Sequence, residues 1–396
     1  MHTQQRIPLL YLCLLGLFAL AGMARWVVHL PSPQQSHDLR VPWTGARLLS
    51  QGINPLDGQA MQREWRKSVD FDSARLVPGS AEMPAIYPPP AYALYLPLGI
   101  LPFEKAWLLN LLLVIVSAAA IVWLTQRILA HFGHAVPMMA IVLLMLALKG
   151  SANAIAVGQP TFLALALSLG AWYAALKHRN ILAGCLAGLA LFKFTVVLPV
   201  VVWMLWKRKF NSLAWAAAVC LLLTVPVILV AGWNWPLQYL ENAAAWRAFC
   251  FDTTRPGFPL VYELSALTEF RVLAALHPAI PSWLSSLLIL PPLALLLWRH
   301  RNQDLAFYAV ASLGSLLLLQ HLYYDVLMLL PVGVLWLHRR PQHTADWILV
   351  ALLCTYFLPV NRLLDFTGIE NAFLYMHNAW VTAALVLVLW VRPRGG

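Results

Sequence analysis

Residues 177–209 read KHRNILAGCLAGLALFKFTVVLPVVVWMLWKRK. Two apolar runs, 180–192 and 195–206, lie between basic turns, Lys177/Arg179 before them and Lys207-Arg208-Lys209 after them. A lone cation, Lys193, stands where the runs join. Neither run reaches the roughly 20 residues that a helix needs to cross a hydrocarbon core. Short apolar pieces of this kind suit broken or re-entrant helices packed inside a bundle, where irregular backbone is tolerated. Basic turns at both outer ends put those ends on one membrane face and Lys193 toward the other.

The same pattern fills the chain. About twelve apolar segments are predicted, at 7–29, 103–126, 136–150, 159–176, 180–192, 195–206, 211–231, 281–298, 304–319, 322–337, 345–360 and 372–391. Hydrophobic residues make up 61% of the 396 residues and charged residues 11%. Soluble domains carry about 25% charged residues. The expectation is one integral membrane domain, 1–396, with a single long polar stretch at 31–86. The first segment carries Ala19-Leu20-Ala21 and Gly22-Met23-Ala24, which resemble a signal-peptide cleavage site. Apolar character continues through Trp26-Val27-Val28, so an uncleaved anchor is expected.

A net charge of +11 would suggest nucleic acid in a soluble protein. Here Arg6, Arg127, Lys177/Arg179, Lys207/Arg208/Lys209, Arg299/Arg301, Arg339/Arg340 and Arg392/Arg394 all sit at span ends, in alternate loops. This positive-inside pattern places both termini in the cytoplasm, and 31–86, 232–258 and 361–371 opposite. The alternation requires that 87–102, rich in proline, does not cross completely. The five cysteines show neither a disulfide framework nor metal spacing, and no GxGxxG, Walker A, HExxH or GxSxG pattern occurs. No soluble cofactor and no nucleic-acid partner are expected.

The polar stretch holds the first candidate. Asp38 follows the first span and precedes Trp43-Thr44-Gly45-Ala46-Arg47-Leu48-Leu49, then Gly52-Ile53-Asn54-Pro55-Leu56. Ala46, Leu48, Leu49 and Ile53 share one side of a short amphipathic helix, predicted to lie flat on the interface. Asp38 reads either as a helix N-cap or as a general base whose pKa is raised by desolvation. Lys193 reads either as an anion ligand or as a snorkelling lysine. His321 and Asp325, four apart, could pair on one helical face, as a structural lock or as part of a site. Gln159, in Gly158-Gln159-Pro160, could bind a polar head group or satisfy backbone freed by the proline. Arg247, Arg255 and Arg362 break the positive-inside bias and so are candidate anion contacts, to a ligand or to lipid.

In order, Asp38, Gly45-Ala46…Gly52-Ile53-Asn54-Pro55, Tyr87-Pro88-Pro89…Leu96-Pro97-Leu98, Gly158-Gln159-Pro160-Thr161, Ala183-Gly184…Lys193…Leu198-Pro199 and Gln320-His321…Tyr324 resemble glycosyltransferase family 87, polytopic enzymes of the GT-C class. The resemblance covers roughly residues 5–340. It implies an all-α polytopic membrane protein, a GT-C-like bundle of about 10–13 transmembrane helices with a long first extracytoplasmic loop carrying the catalytic acid, here Asp38. It also implies Lys193, His321, Gln159, Arg255 and Tyr87 as contacts to donor phosphate or sugar, and no metal or other cofactor. The implied donor is a polyprenyl-phosphate sugar, with mannose the expected hexose, and the acceptor a lipid or glycan hydroxyl. The implied location is the bacterial cytoplasmic (inner) membrane, with the site facing the periplasm or exterior. Leu56 stands where family members often carry an aromatic residue, so sugar and acceptor specificity do not carry over. The alternative is a transporter or flippase of a lipid-linked sugar, for which internal repeats and midplane charges are the signature. No convincing repeat is visible.

Overall fold

The computed structural model describes residues 9–28, 32–33, 36–68, 87–250, 283–319, 323–338, 343–357 and 377–391. Among these residues all regular structure is helical. After α1 (Leu9–Val28), the first loop contributes α2 (His37–Ser50) and α3 (Gly58–Ser68). Two short helices, α4 (Pro89–Leu94) and α5 (Leu96–Gly99), precede the long α6 (Phe103–His131). Then come α7 (Met138–Ala147), α8 (Lys149–Ala156), α9 (Thr161–Leu176) and α10 (Asn180–Ala190). A 3-10 turn, Leu191–Lys193, leads into α11 (Phe194–Trp206), α12 (Phe210–Ala231) and α13 (Trp235–Cys250). The rest is α14 (Trp283–Arg299), α15 (Asp304–Leu318), a 3-10 segment at Tyr323–Leu329, α16 (Leu330–His338), α17 (Thr344–Thr355) and α18 (His377–Val391).

By length and apolar composition, Phe103–His131, Asn180–Trp206 and Phe210–Ala231 suffice to cross a membrane, and α7 with α8 makes a fourth candidate bent by 69°. The outward faces fit lipid: Leu221, Leu222 and Leu229 of α12 are 63–80% exposed. An exposed apolar face of that kind is stable only in a nonpolar solvent. The protein is an all-α polytopic membrane protein.

Asn180–Trp206 doubles back at its middle. A straight helix of its 27 residues would be about 40 Å long. Yet Lys209 Nζ lies 3.5 Å from His178 Nδ1, and Ser212 Oγ donates to Asn180 Oδ1 at 3.4 Å. The reversal occurs at Lys193, whose φ of −128° and ψ of 68° leave the helical region. α10 then runs alongside α12 at close range: a Cβ on Gly188 would lie 2.6 Å from the Ala216 carbonyl oxygen. The two short apolar runs thus form a hairpin with both ends basic and Lys193 at its tip.

The basic turns gather at one end of the bundle. There Lys207 pairs with Asp304 at 2.7 Å, Trp203 Nε1 donates to the same carboxylate, and Arg299 reaches the Trp390 carbonyl. α9 and α11 end in matching reverse turns, with Arg179 N–H returning to Ala174 O and Lys209 N–H to Met204 O, both at 2.9 Å. The residue before each, His178 and Arg208, takes a positive φ, as this C-terminal capping motif requires. At the basic end, Trp172 stacks on Tyr308 with centroids 4.3 Å apart and meets Trp203 edge-on.

The first loop departs from expectation. α2 does not lie flat with one wet face; Leu39 to Ala46, Leu48 and Leu49 are all buried. The reason is enclosure: α2 packs against α3, α4, α5 and α6, so its polar side also meets protein. Gly45 takes the Tyr92 ring against its Cα, and Gly99 receives the backbone of Ala46. Arg40 is buried over the Phe103 ring, 3.9 Å from its centroid, and donates to the Pro33 carbonyl. Ile53, expected on the apolar side, is 41% exposed. Residues 235–250, placed by charge in an outer loop, form α13, which caps the Asn54-Pro55 turn: Asn54 donates to Gln238 at 2.9 Å, and Asn242 to the Leu56 carbonyl at 2.8 Å.

Candidate active site

At the end of the hairpin away from the basic turns, four other chain segments converge on its tip. α8 ends in the same reverse turn as α9, with Gly158 at φ 71° and Gln159 N–H bonded back to Ala154 O at 2.7 Å. Pro160 follows and starts α9. Gln159 is therefore clamped between a closed helix terminus and a proline. The Gly158 Cα faces the start of α2 so closely that a Cβ there would lie 2.8 Å from Leu39 Cβ.

This contact brings Asp38 to the turn. Asp38 is not the N-cap of α2; Ser36 occupies that position. Its own N–H donates to the Val157 carbonyl at 3.0 Å, and its Oδ2 accepts from Gln159 Nε2 at 2.7 Å. Gln159 Oε1 in turn accepts from Lys193 Nζ at 3.0 Å and from the Tyr87 hydroxyl at 3.3 Å. Lys193 also donates to Thr161 Oγ1 and forms an ion pair with Asp325 Oδ1 at 2.8 Å. Thr161 completes the network by donating to Asp325 at 2.9 Å.

The two carboxylates differ in setting. Asp325 is 2% exposed and committed to Lys193 and Thr161. Asp38 is only part-buried at the edge of the network. A carboxylate at such an edge can take a proton from an incoming group; an enclosed one cannot be reached.

Of the residues singled out from sequence, Asp38, Gln159, Lys193 and Tyr87 come together. Lys193 is not a snorkelling lysine, since its side chain is 10% exposed and ion-paired. Asp325, a feasible partner of His321 by spacing, forms an ion pair with Lys193 across 132 positions. His321, Arg255 and Arg362 lie outside the described residues, and so does the side chain of Arg247. Thr161 was quoted only as part of a motif, and a threonine beginning a helix carries no signal that distinguishes it. Among the described residues, no three His, Cys, Asp or Glu side chains converge as a metal site would require.

Outside the network, Glu64 of α3 bridges Arg47 of α2 and Lys67, each at 2.8 Å. Burial pushes its carboxyl up, but hydrogen bonds from Lys67 and Arg47 outweigh this and hold it below its ordinary 4.5. His37 is held below 6.5 by burial and by the Arg40 guanidinium.

A family model described as glycosyltransferase family 87 matches residues 85–322. No curated protein and no solved structure matches the chain. The matched segment contains Tyr87, Gln159, Thr161 and Lys193, starts after Asp38 and stops just short of Asp325. It spans more than half of the chain and runs through the glutamine turn and the hairpin tip, and the chain belongs to glycosyltransferase family 87.

Proposed function

We propose that this membrane glycosyltransferase moves a hexose, with mannose the expected sugar, from a polyprenyl phosphate to a hydroxyl of a lipid or glycan acceptor. The observation that carries the reading is Asp38. It is the part-buried carboxylate of a polar network built into an apolar bundle, and Gln159 holds it at 2.7 Å. The acceptor oxygen attacks the anomeric carbon from the face opposite the phosphate. The new C–O bond forms as the sugar–phosphate bond breaks, the configuration inverts, and the acceptor proton passes to Asp38. Polyprenyl phosphate leaves with the bonding pair. One base suffices, because a phosphate leaving group needs little protonation and the two-carboxylate arrangement of glycosidases is not required.

Charge building on the phosphate is offset by cationic side chains, with His321 and Arg255 in that role and no metal required. The proposed orientation sets the basic turns and both termini in the bacterial cytoplasm and Asp38 toward the exterior, following the positive-inside bias. α10 and α11 have 11 and 13 residues, about 16–20 Å of helix, so their tip lies below the far surface of a core about 30 Å thick. A site at that depth suits a donor whose phosphate is tethered to a lipid.

The test is transfer of labelled mannose from synthetic polyprenyl-phosphate-mannose to membrane-extract acceptors by wild type and by Asp38→Asn. Transfer by wild type that vanishes in a folded Asp38→Asn protein supports the reading. Equal transfer by both removes Asp38 as base. No transfer by either refutes this pairing of donor and acceptor, and a lipid-flipping assay then examines the carrier alternative.

A further inference from the structure

We propose that Gln159 is a positioning residue for Asp38, and that Lys193 sets the sense of the Gln159 amide rather than meeting the donor phosphate. The inference rests on Asp38 being the base. A glutamine amide offers an oxygen that accepts and a nitrogen that donates. Lys193 can only donate, and an ionised Asp38 can only accept. Between such partners one orientation satisfies both: Oε1 toward Lys193 at 3.0 Å, Nε2 toward Asp38 at 2.7 Å. The Tyr87 hydroxyl, donating to Oε1 at 3.3 Å, reinforces that sense.

Lys193 is in turn committed. An ammonium carries three N–H donors, and Gln159 Oε1, Thr161 Oγ1 and Asp325 Oδ1 provide three acceptors. Asp325 also cancels the Lys193 charge at 2.8 Å. A phosphate would have to displace one of these partners. The expectation that Lys193 meets the leaving group is therefore replaced by a role exerted through the glutamine.

The consequence is a bias on the base. With Nε2 directed at Asp38, the ionised form gains a hydrogen bond; with the amide turned over, a carbonyl oxygen would face a carboxylate. Charged and titratable groups around Asp38 are His37 and Arg40 on its own helix, Tyr87 before α4, Lys193 at the hairpin tip and Asp325 on the 3-10 segment. Losing the Nε2 donor raises the pKa of the base, so activity on the acid side is lost at higher pH.

The experiment is the pH profile of kcat/KM for the full chain in lipid nanodiscs, with polyprenyl-phosphate-mannose as donor. Wild type is compared with Gln159→Leu, with Lys193→Met/Asp325→Asn, and with the triple variant. The paired substitution removes both buried charges at once, and the amide oxygen introduced by Asp325→Asn still accepts from Thr161, which avoids stranding one ion. The acid limb is expected to move up by about one pH unit in Gln159→Leu, the size of shift that one hydrogen bond to a carboxylate produces, and by a smaller but resolved amount in the paired variant, where the Tyr87 hydroxyl still donates to Oε1. The triple variant should move no further than Gln159→Leu, because Lys193 acts on the base only through the glutamine amide. An unshifted limb in Gln159→Leu overturns the role of Gln159. A wild-type limb in the paired variant shows that Lys193 merely neutralises Asp325, and overturns its role. Asp38→Asn separates these failures from failure of the underlying reading: equal transfer by wild type and Asp38→Asn removes the base itself.

Discussion

Replacing Gly158 by alanine tests whether the turn holding Gln159 governs the reaction. Two costs follow from the geometry. At φ 71° an alanine sits in the left-handed region, which costs an L-residue roughly 1–2 kcal/mol. Its Cβ would also lie 2.8 Å from Leu39 Cβ and 3.2 Å from Ser36 Cβ, against 3.4 Å or more for ordinary contact. The start of α2 must therefore retreat from the turn by about 0.6 Å, opening the Asp38–Gln159 hydrogen bond. Misplacement by about 1 Å can cost a factor of 10² in rate, so glycosyl transfer should fall by about 10- to 100-fold. Gly133 provides the control. It has φ 80° in an equivalent turn at the end of α6, with nothing within 4 Å of its Cβ position. Gly133→Ala should lower thermal stability in detergent about as much as the strain alone demands, yet leave transfer intact. The two variants are compared by melting temperature and by initial transfer rate. Transfer by Gly158→Ala within twofold of wild type would refute the claim that the α2–turn contact positions Asp38.

Two further perturbations address the scaffold. Asp325→Ala strands the Lys193 ammonium at 10% exposure, and should cost about 3–5 kcal/mol, read as earlier thermal inactivation, while Lys193→Met/Asp325→Asn should recover most of it. Glu64 has a folded pKa below its ordinary 4.5, so the stability it contributes is fully present above that value and lost as pH falls through the lowered folded pKa. Glu64→Gln should flatten that acid-side loss in a pH series of melting temperatures; an unchanged slope would mean that Arg47 and Lys67 do not hold the carboxylate.

What local sequence determined follows from the membrane as solvent. Long apolar runs, basic turns at alternate ends and a lone lysine inside an apolar stretch each have a physical meaning within a window of about 20 residues. The two broken apolar runs at 180–192 and 195–206 and the candidates Asp38 and Lys193 were legible on that ground, whereas Tyr87 was implied only by the family resemblance. The Gly158-Gln159-Pro160 break was legible too, since glycine and proline mark helix ends through their own backbone preferences. Tertiary structure alone decided who meets whom. Asp325 meets a lysine 132 residues away, and that pairing depends on how the hairpin tip packs against the Tyr323–Leu329 segment. α2 carries the charge pattern of a surface helix, yet the surrounding helices enclose its Arg40 over Phe103. α13 is tied to the Asn54-Pro55 turn by two amide contacts, Gln238 accepting from Asn54 and Asn242 donating to the Leu56 carbonyl, which only the folded chain brings together. Burial and pairing are properties of neighbours, and neighbours distant in sequence are assigned only when the bundle closes.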